Sequence, residues 1–235
     1  IKKKEKIKKI YDIRNTDFET MSIDKFENHT RAFVIIQEGC NAFCSYCIIP
    51  FTRGGLRSKD EDEAVKEITT LVNNGYKEIV LTGIHTGRYG IEKNTSLEHL
   101  LNRLVKIPNI FRIRLSSIEI NEITPGILKL IKDNKIMAKH LHIPLQSGSN
   151  KILKLMNRKY NIEFYINKIN EIRELIPDIS ITTDLIVGFP NATEEDFNDT
   201  LKVLEDIKFT KIHTFPYSIR KGTVAASMDL SLIHI

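Results

Sequence analysis

The chain has 235 residues, of which 41% are hydrophobic and 28% charged, enough apolar content to bury one sizeable core and too much for a disordered chain. Its 35 Lys and Arg against 30 Asp and Glu leave a formal charge of +5, a modest basic excess that suits a nucleic-acid partner without demanding one. No run approaches the roughly 20 apolar residues of a membrane span and no signal-peptide core is present, so the cytoplasm is the expected compartment.

The opening "IKKKEKIKKI" holds six lysines in ten residues and reads as a solvated helix end or a basic lead-in. Residues 1–30 are expected to form a charged connector, residues 31–228 the domain proper, and residues 229–235 a tail without an assigned role. The missing initial Met and the lack of a closing element suggest a piece of a longer protein. From residue 31 a rhythm sets in. "RAFVIIQEG" is a β-branched apolar run ending at Gly39, and "DEDEAVKEITTLVNNG" a helix that starts acidic and ends at Gly75. "KEIVLTG", "FRIRLSS", "HLHIPLQS", "SITTDLIVGF" and "KIHTFPYS" are the further strands. Between them lie "SLEHLLNRLVKI" (with Ser96 as N-cap), "TPGILKLIKDN", "SNKILKLMN", "IEFYINKINEIRELI" and "TEEDFNDTLKVLEDI" as helices. Six strands alternating with helices predict an α/β fold with a parallel sheet and right-handed crossovers, an open, partial barrel of (βα)6 type or a doubly wound sheet. Polar endings such as "LTG", "LSS" and "LQS" fall where strands meet loops, the active edge of such folds, and favour the barrel.

All three cysteines, Cys40, Cys44 and Cys47, sit on the loop after the first strand, in "EGCNAFCSYCIIP". Separations this short cannot staple a fold but suit a soft metal centre in a reducing compartment. Three thiolates leave one tetrahedral position open. A zinc site would fill it with a protein ligand, His140 or His142, and would make this a non-catalytic nucleic-acid-binding module. An iron–sulfur cluster would leave it to something else. Histidines His85, His140, His142 and His213 are expected to serve packing and hydrogen bonding, not ligation.

The C-x3-C-x2-C spacing with Tyr46 before the last cysteine resembles the radical S-adenosylmethionine (SAM) superfamily. That resemblance implies a partial six-stranded barrel and a [4Fe–4S] cluster on Cys40, Cys44 and Cys47, with SAM chelating the fourth iron. Reductive cleavage would then give a 5'-deoxyadenosyl radical able to take hydrogen from unactivated carbon, the hard chemistry belonging to the cofactors. "RAFVIIQEGCNAFCSYCIIPFTRG", "GYKEIVLTGIHTGRYG", "HLHIPLQSGSNKILKLMNRKY" and "HTFPYSIRKGT" further resemble the methylthiotransferases. Among these "LTGIHTGRYG" is most similar to enzymes acting on N6-threonylcarbamoyladenosine at position 37 of tRNA. The alternatives are the isopentenyladenosine enzymes and those that modify ribosomal protein S12.

The resemblance implies roles for further residues. Tyr46 would lie beside the SAM adenine, Thr82 and Gly83 near its methionine amino group, and Ser117 and Glu119 at the ribose or ammonium. Gln146 and Ser147 would bond ribose or substrate, Arg158 the methionine carboxylate, and Gly188 the adenine. Arg53, Arg57 and Arg88 would form a basic rim for tRNA phosphates, with Arg220 on the tRNA backbone or the SAM carboxylate. Where the family carries "GFPGE" this chain reads "GFPNA". Asn191 tolerates a positive φ, so the turn is expected to survive. The resemblance also implies an electron donor such as flavodoxin or ferredoxin, and a sulfur source in a missing N-terminal domain with a second cluster. A small C-terminal β-domain that grips RNA would complete it. The chain by itself is expected to bind and cleave SAM at most.

Overall fold

The computed structural model describes residues 16–19 and 30–230; the basic opening, most of the expected connector and residues 231–235 lie outside them. The elements follow in chain order: β1 (Arg31–Glu38), α1 (Ile49–Arg53), β2 (Arg57–Ser58), α2 (Glu61–Asn73), β3 (Glu78–Gly83), α3 (Leu97–Leu104) and β4 (Arg112–Leu115). After them come α4 (Pro125–Asp133), β5 (His140–His142), α5 (Asn150–Leu155), α6 (Ile162–Leu175), β6 (Ser180–Val187), α7 (Glu194–Ile207) and β7 (Lys211–Pro216). The helices start where short polar side chains can accept the orphan amides of the first turn. Asp60, Ser96, Thr124, Ser149 and Asn161 do so for α2 to α6. Thr193 and Asp196 form a reciprocal capping box at α7.

β1, β3 and β4 pair in parallel, and so do β5, β6 and β7. Two isolated parallel bridges, Ile113 to Met137 and Ser117 to His142, join the two sheets across β4 and β5. The six parallel strands therefore stand in sequence order, as the alternation of strands and helices predicts, and among the described residues β1 and β7 do not pair with each other. This is an open (βα)6 half-barrel. The short β2 runs antiparallel on the outer side of β1, and neither it nor α1 was expected, because two to five residues carry no periodicity to read.

One layer of strand side chains, Val34, Ile36, Ile79, Leu81, Ile113, Leu115 and Leu141, packs with Ile68, Leu71, Leu100, Leu101, Leu104, Leu128 and Ile131 of the helices in a single core. Each fully buried leucine or isoleucine there contributes about 1.5–3 kcal/mol by leaving water. The opposite face is open: Phe33 and Ile35 of β1 are 38% and 51% exposed. Charges line it. Glu78 lies 2.8 Å from Arg114, 3.6 Å from Arg112 and 3.9 Å from Arg31, stitching three strands together.

Gly39, at the exit of β1, has φ +70°, and a Cβ there would lie 1.8 Å from the Gly55 carbonyl oxygen. Gly75 shares the left-handed conformation, φ +98°, but a Cβ there meets nothing within 4 Å. Gly75→Ala is therefore expected to cost only its backbone strain, about 1–3 kcal/mol. Gly39→Ala adds a clash with backbone that has no room to move. Urea unfolding of both variants should show the larger loss at Gly39.

Candidate active site at the strand carboxyl edge

The loop from Gly39 to Ile48 carries all three cysteines, each half-buried and with a free thiol. It is tied at several points. Cys40 N donates to Gly54 O at 3.0 Å, Ser45 N to Met156 O at 3.0 Å, and Ala225 N to Ser45 O at 2.8 Å. The Asn157 side-chain amide donates to Phe43 O at 2.8 Å. Three distant segments thus set the path of a loop with no regular structure of its own.

Buried Gln37 anchors its start. The side-chain amide donates to Gly39 O at 2.9 Å, while Oε1 accepts from His85 N at 2.6 Å. Gly83 has its absent Cβ 3.0 Å from Gln37 O and 3.1 Å from Gln37 Cβ, so the close approach that makes a glycine necessary there is to Gln37. Thr82 beside it donates from its hydroxyl to Val34 O at 3.3 Å.

A cavity of about 200 Å³ opens beside the loop, with Cys44, His85, Arg88, Glu119, Glu122 and Arg158 among its lining. The Arg158 side chain is 5% exposed and pairs with the Glu119 carboxylate. Its guanidinium also lies 3.5 Å from Cys44 Sγ and stacks over the Tyr160 ring at 5.1 Å. A second cavity of about 230 Å³ is lined by Tyr46, Gln146, Asp184, Phe215, Tyr217 and Arg220. Tyr46 meets Phe189 edge-on, ring centres 6.3 Å apart. Burial pushes the Tyr46 hydroxyl well above its usual pKa, so it stays a neutral donor.

The expected residues divide between these places. Cys44, Glu119, Arg158 and Arg88 face the first cavity, and Tyr46, Gln146 and Arg220 the second. Gln146 takes φ 67° in doing so. Ser117 bridges to His142 at the same edge. Ser147 and Gly188 meet elsewhere, at a small cleft with Ile152, Phe189 and Thr200. The Ser147 hydroxyl there accepts from Ser149 N at 3.2 Å. Asn191 has φ 61°, so the turn does survive the departure from "GFPGE". Of the basic rim, Arg53 is exposed and Arg88 has a side chain 44% exposed. Arg57 differs: it lies 3.3 Å from Glu38, with its side chain 14% exposed, and donates to Arg53 O at 2.9 Å. It holds the loop's exit.

Sequence reasoning assigned His85 packing and hydrogen bonding without naming a partner, and missed Glu122 and Gln37. His85 Nδ1 lies 3.3 Å from Cys40 Sγ and its Nε2 2.8 Å from Glu122. Burial opposes charge on the ring, but Cys40 and Glu122 outweigh it and raise its pKa to about 9. Burial alone would raise the Cys40 thiol, yet the ring and the Ala42 N–H bring it below its usual value, while burial raises Cys47. Two other histidines bond within the sheet, His140 to Thr182 at 3.3 Å and His142 to Asp184 at 3.1 Å and to Thr182 at 2.8 Å. Among the described residues no three His, Cys, Asp or Glu side chains converge closely enough to ligate one metal ion. A cubane, with a separate iron for each thiolate, needs no such convergence.

Residues 34–204 match the Radical SAM superfamily, and the chain belongs to it. It is 47% identical over 214 residues to the threonylcarbamoyladenosine tRNA methylthiotransferase MtaB of Bacillus subtilis, covering 90% of this chain and 48% of that protein. It is 43% identical over 222 residues to the tRNA-2-methylthio-N(6)-dimethylallyladenosine synthase of Acetivibrio thermocellus, covering 94% and 46%. The chain thus spans about half the length of these relatives. The fold is similar to that of the radical SAM methyltransferase TsrM from Kitasatospora setae, a structure with cobalamin and a [4Fe–4S] cluster bound. There the TM-score is 0.69 at 14% identity, over 83% of this chain and 38% of that one.

His140 supplies a test of the open face. Burial, with Arg114 and His142 nearby, lowers its pKa from 6.5 to about 4. Between those values the unfolded chain binds the extra proton and the folded chain does not, so stability falls as pH drops through that window. Urea titrations from pH 7 to pH 4 should show this slope, and His140→Gln should flatten it.

Proposed function

We propose that residues 31–228 are the radical SAM domain of a tRNA methylthiotransferase whose substrate is threonylcarbamoyladenosine at position 37. One observation carries the reading: three free thiols share one braced loop at the carboxyl edge of a half-barrel, in a chain 47% identical to an enzyme of that name. The donors fit a [4Fe–4S] cluster, because the three cysteines are half-buried and two of their sulfurs face nitrogen donors, Cys44 the Arg158 guanidinium and Cys40 the His85 ring. Cys40, Cys44 and Cys47 would hold it, with SAM at the remaining iron. When bound, the pair supplies one-electron reductive cleavage of SAM and hydrogen abstraction from carbon.

The chain's own residues bind, orient and exclude water. Arg158 offers a guanidinium to the methionine carboxylate, and Glu119 holds that guanidinium or accepts from the ammonium. Thr82, Gly83 and Ser117 line the same edge. Tyr46 and Gln146 receive adenine and ribose, Ser147 supports the turn behind Gln146, and Gly188 sits apart in the small cleft. Arg53, Arg88 and Arg220 position tRNA phosphates, and Arg57 braces the loop beside them. An electron donor such as flavodoxin or ferredoxin, and sulfur from a cluster domain outside this chain, complete the proposal, as does a cytoplasmic setting. Among the described residues no helix is long and apolar enough to cross a membrane.

Anaerobic reconstitution should load four irons and four sulfides, and Cys44→Ala should lose them. With reductant the loaded chain should release 5'-deoxyadenosine from SAM, whereas one zinc without sulfide sinks the assignment. Expressing the full-length gene in a host lacking its own enzyme should add the 2-methylthio form of threonylcarbamoyladenosine to tRNA, whereas this chain alone should leave tRNA unmodified. Methylthio-isopentenyladenosine, or a methylthio-aspartate on ribosomal protein S12, would move the substrate instead.

A further inference from the structure

His85 sits where its ring has two functional neighbours and little freedom. Its backbone N–H is claimed by Gln37 at 2.6 Å, which fixes the turn after β3. Its ring reaches Cys40 Sγ from Nδ1 at 3.3 Å and Glu122 Oε1 from Nε2 at 2.8 Å. The His85 and Glu122 side chains are 11% and 14% exposed, so water competes weakly for either contact. Glu122 ends a single 3-10 turn, Ile120–Glu122, that follows β4. Three neighbouring strands thus each contribute one member of a carboxylate–imidazole–sulfur chain.

The chemistry of the three groups decides which hydrogens lie where. The Glu122 carboxylate lies 2.8 Å from Nε2 but off the line of an N–H bond, and among the described residues Nε2 has no hydrogen-bond partner, so the ring proton is not claimed on that side. A thiolate bound to iron carries no proton, so a favourable contact at Nδ1 requires the ring N–H to sit on that nitrogen. The Nδ1–H tautomer meets that requirement, and the Glu122 carboxylate beside Nε2 limits how the ring can turn. We propose that His85 is a positioning residue for the iron–sulfur cluster, donating from Nδ1 to the Cys40 sulfur while Glu122 holds the ring from its far side. The proposal rests on the reading that Cys40 is a cluster ligand.

A hydrogen bond to a cluster sulfur favours the reduced form and raises the reduction potential. A histidine that only filled space would leave the potential alone. The test is an EPR-monitored potentiometric titration of the reconstituted chain, with iron and sulfide assayed on the same samples. His85→Leu should move the midpoint to more negative values, and Glu122→Gln should move it the same way by less. His85→Gln keeps an N–H donor in a differently shaped side chain and should fall between the parent and His85→Leu. If His85→Leu fails to retain iron, Glu122→Gln and His85→Gln decide: shifted midpoints support the proposal. Midpoints equal to the parent's in the variants that keep their iron overturn it. Failure of the underlying reading looks different, since the unsubstituted chain would then load no cluster, or Cys40→Ala would keep one.

Discussion

The buried amide of Gln37 is the contact on which the arrangement at the strand edge turns. Between Ile35 and Gln37 the pairing with β3 shifts register, which sets Gln37 opposite Gly83. A register shift of this kind re-aims one side chain without ending the strand, and such shifts gather beside active sites. The re-aimed amide donates to Gly39 O at the root of the cysteine loop and accepts from His85 N. One side chain therefore locates both the loop that carries the thiols and the ring that faces Cys40. Its full burial raises the stakes, because each polar atom must find a partner or forfeit its hydration.

The cysteine loop depends on what lies around it. Its amides and carbonyls are satisfied by Gly54, Met156, Asn157 and Ala225, residues far apart in the chain and close only in the folded barrel. Arg158 shows the cost of the arrangement. A guanidinium with 5% of its side chain exposed gives up most of its hydration, and removing Glu119 would leave that charge uncompensated, a loss of about 3–5 kcal/mol for a buried pair. A protein selected for stability alone would do better with apolar residues there. The charge is understandable as a binding group held ready, its rotamer set by Tyr160 and its field by Glu119.

The two faces of the half-barrel follow different rules. The helix-covered face is apolar and continuous. The open face carries the Glu78 cluster with its three arginines, and His142 with Thr182 and Asp184. The two histidines of β5 are thereby accounted for as sheet residues, and His213 of β7 meets the His142 ring edge-on, centres 5.7 Å apart. Arg57, expected with Arg53 and Arg88 on one basic rim, is set apart by its burial against Glu38, its side chain 14% exposed where that of Arg88 is 44% exposed.

Much was legible without coordinates. Alternating apolar strands and amphipathic helices, capped where Ser96 and Thr193 indicate, specify six parallel βα units, because patterning at periods of two and 3.6 is a local property. The cysteine spacing marked the site for the same reason: three ligands within eight residues are a local constraint. Asn191 could be trusted to keep its turn, since its left-handed backbone is a property of one residue. What the sequence did not disclose depends on which strand ends become neighbours. His85, Glu122 and Arg158 lie 36 to 73 residues apart, and nothing in their spacing brings an imidazole to one sulfur and a guanidinium to another. The separation of Ser147 and Gly188 from the main cavities is of the same kind. Curvature of the sheet and one register shift in β1 decide these contacts, and both arise from packing summed over the whole barrel.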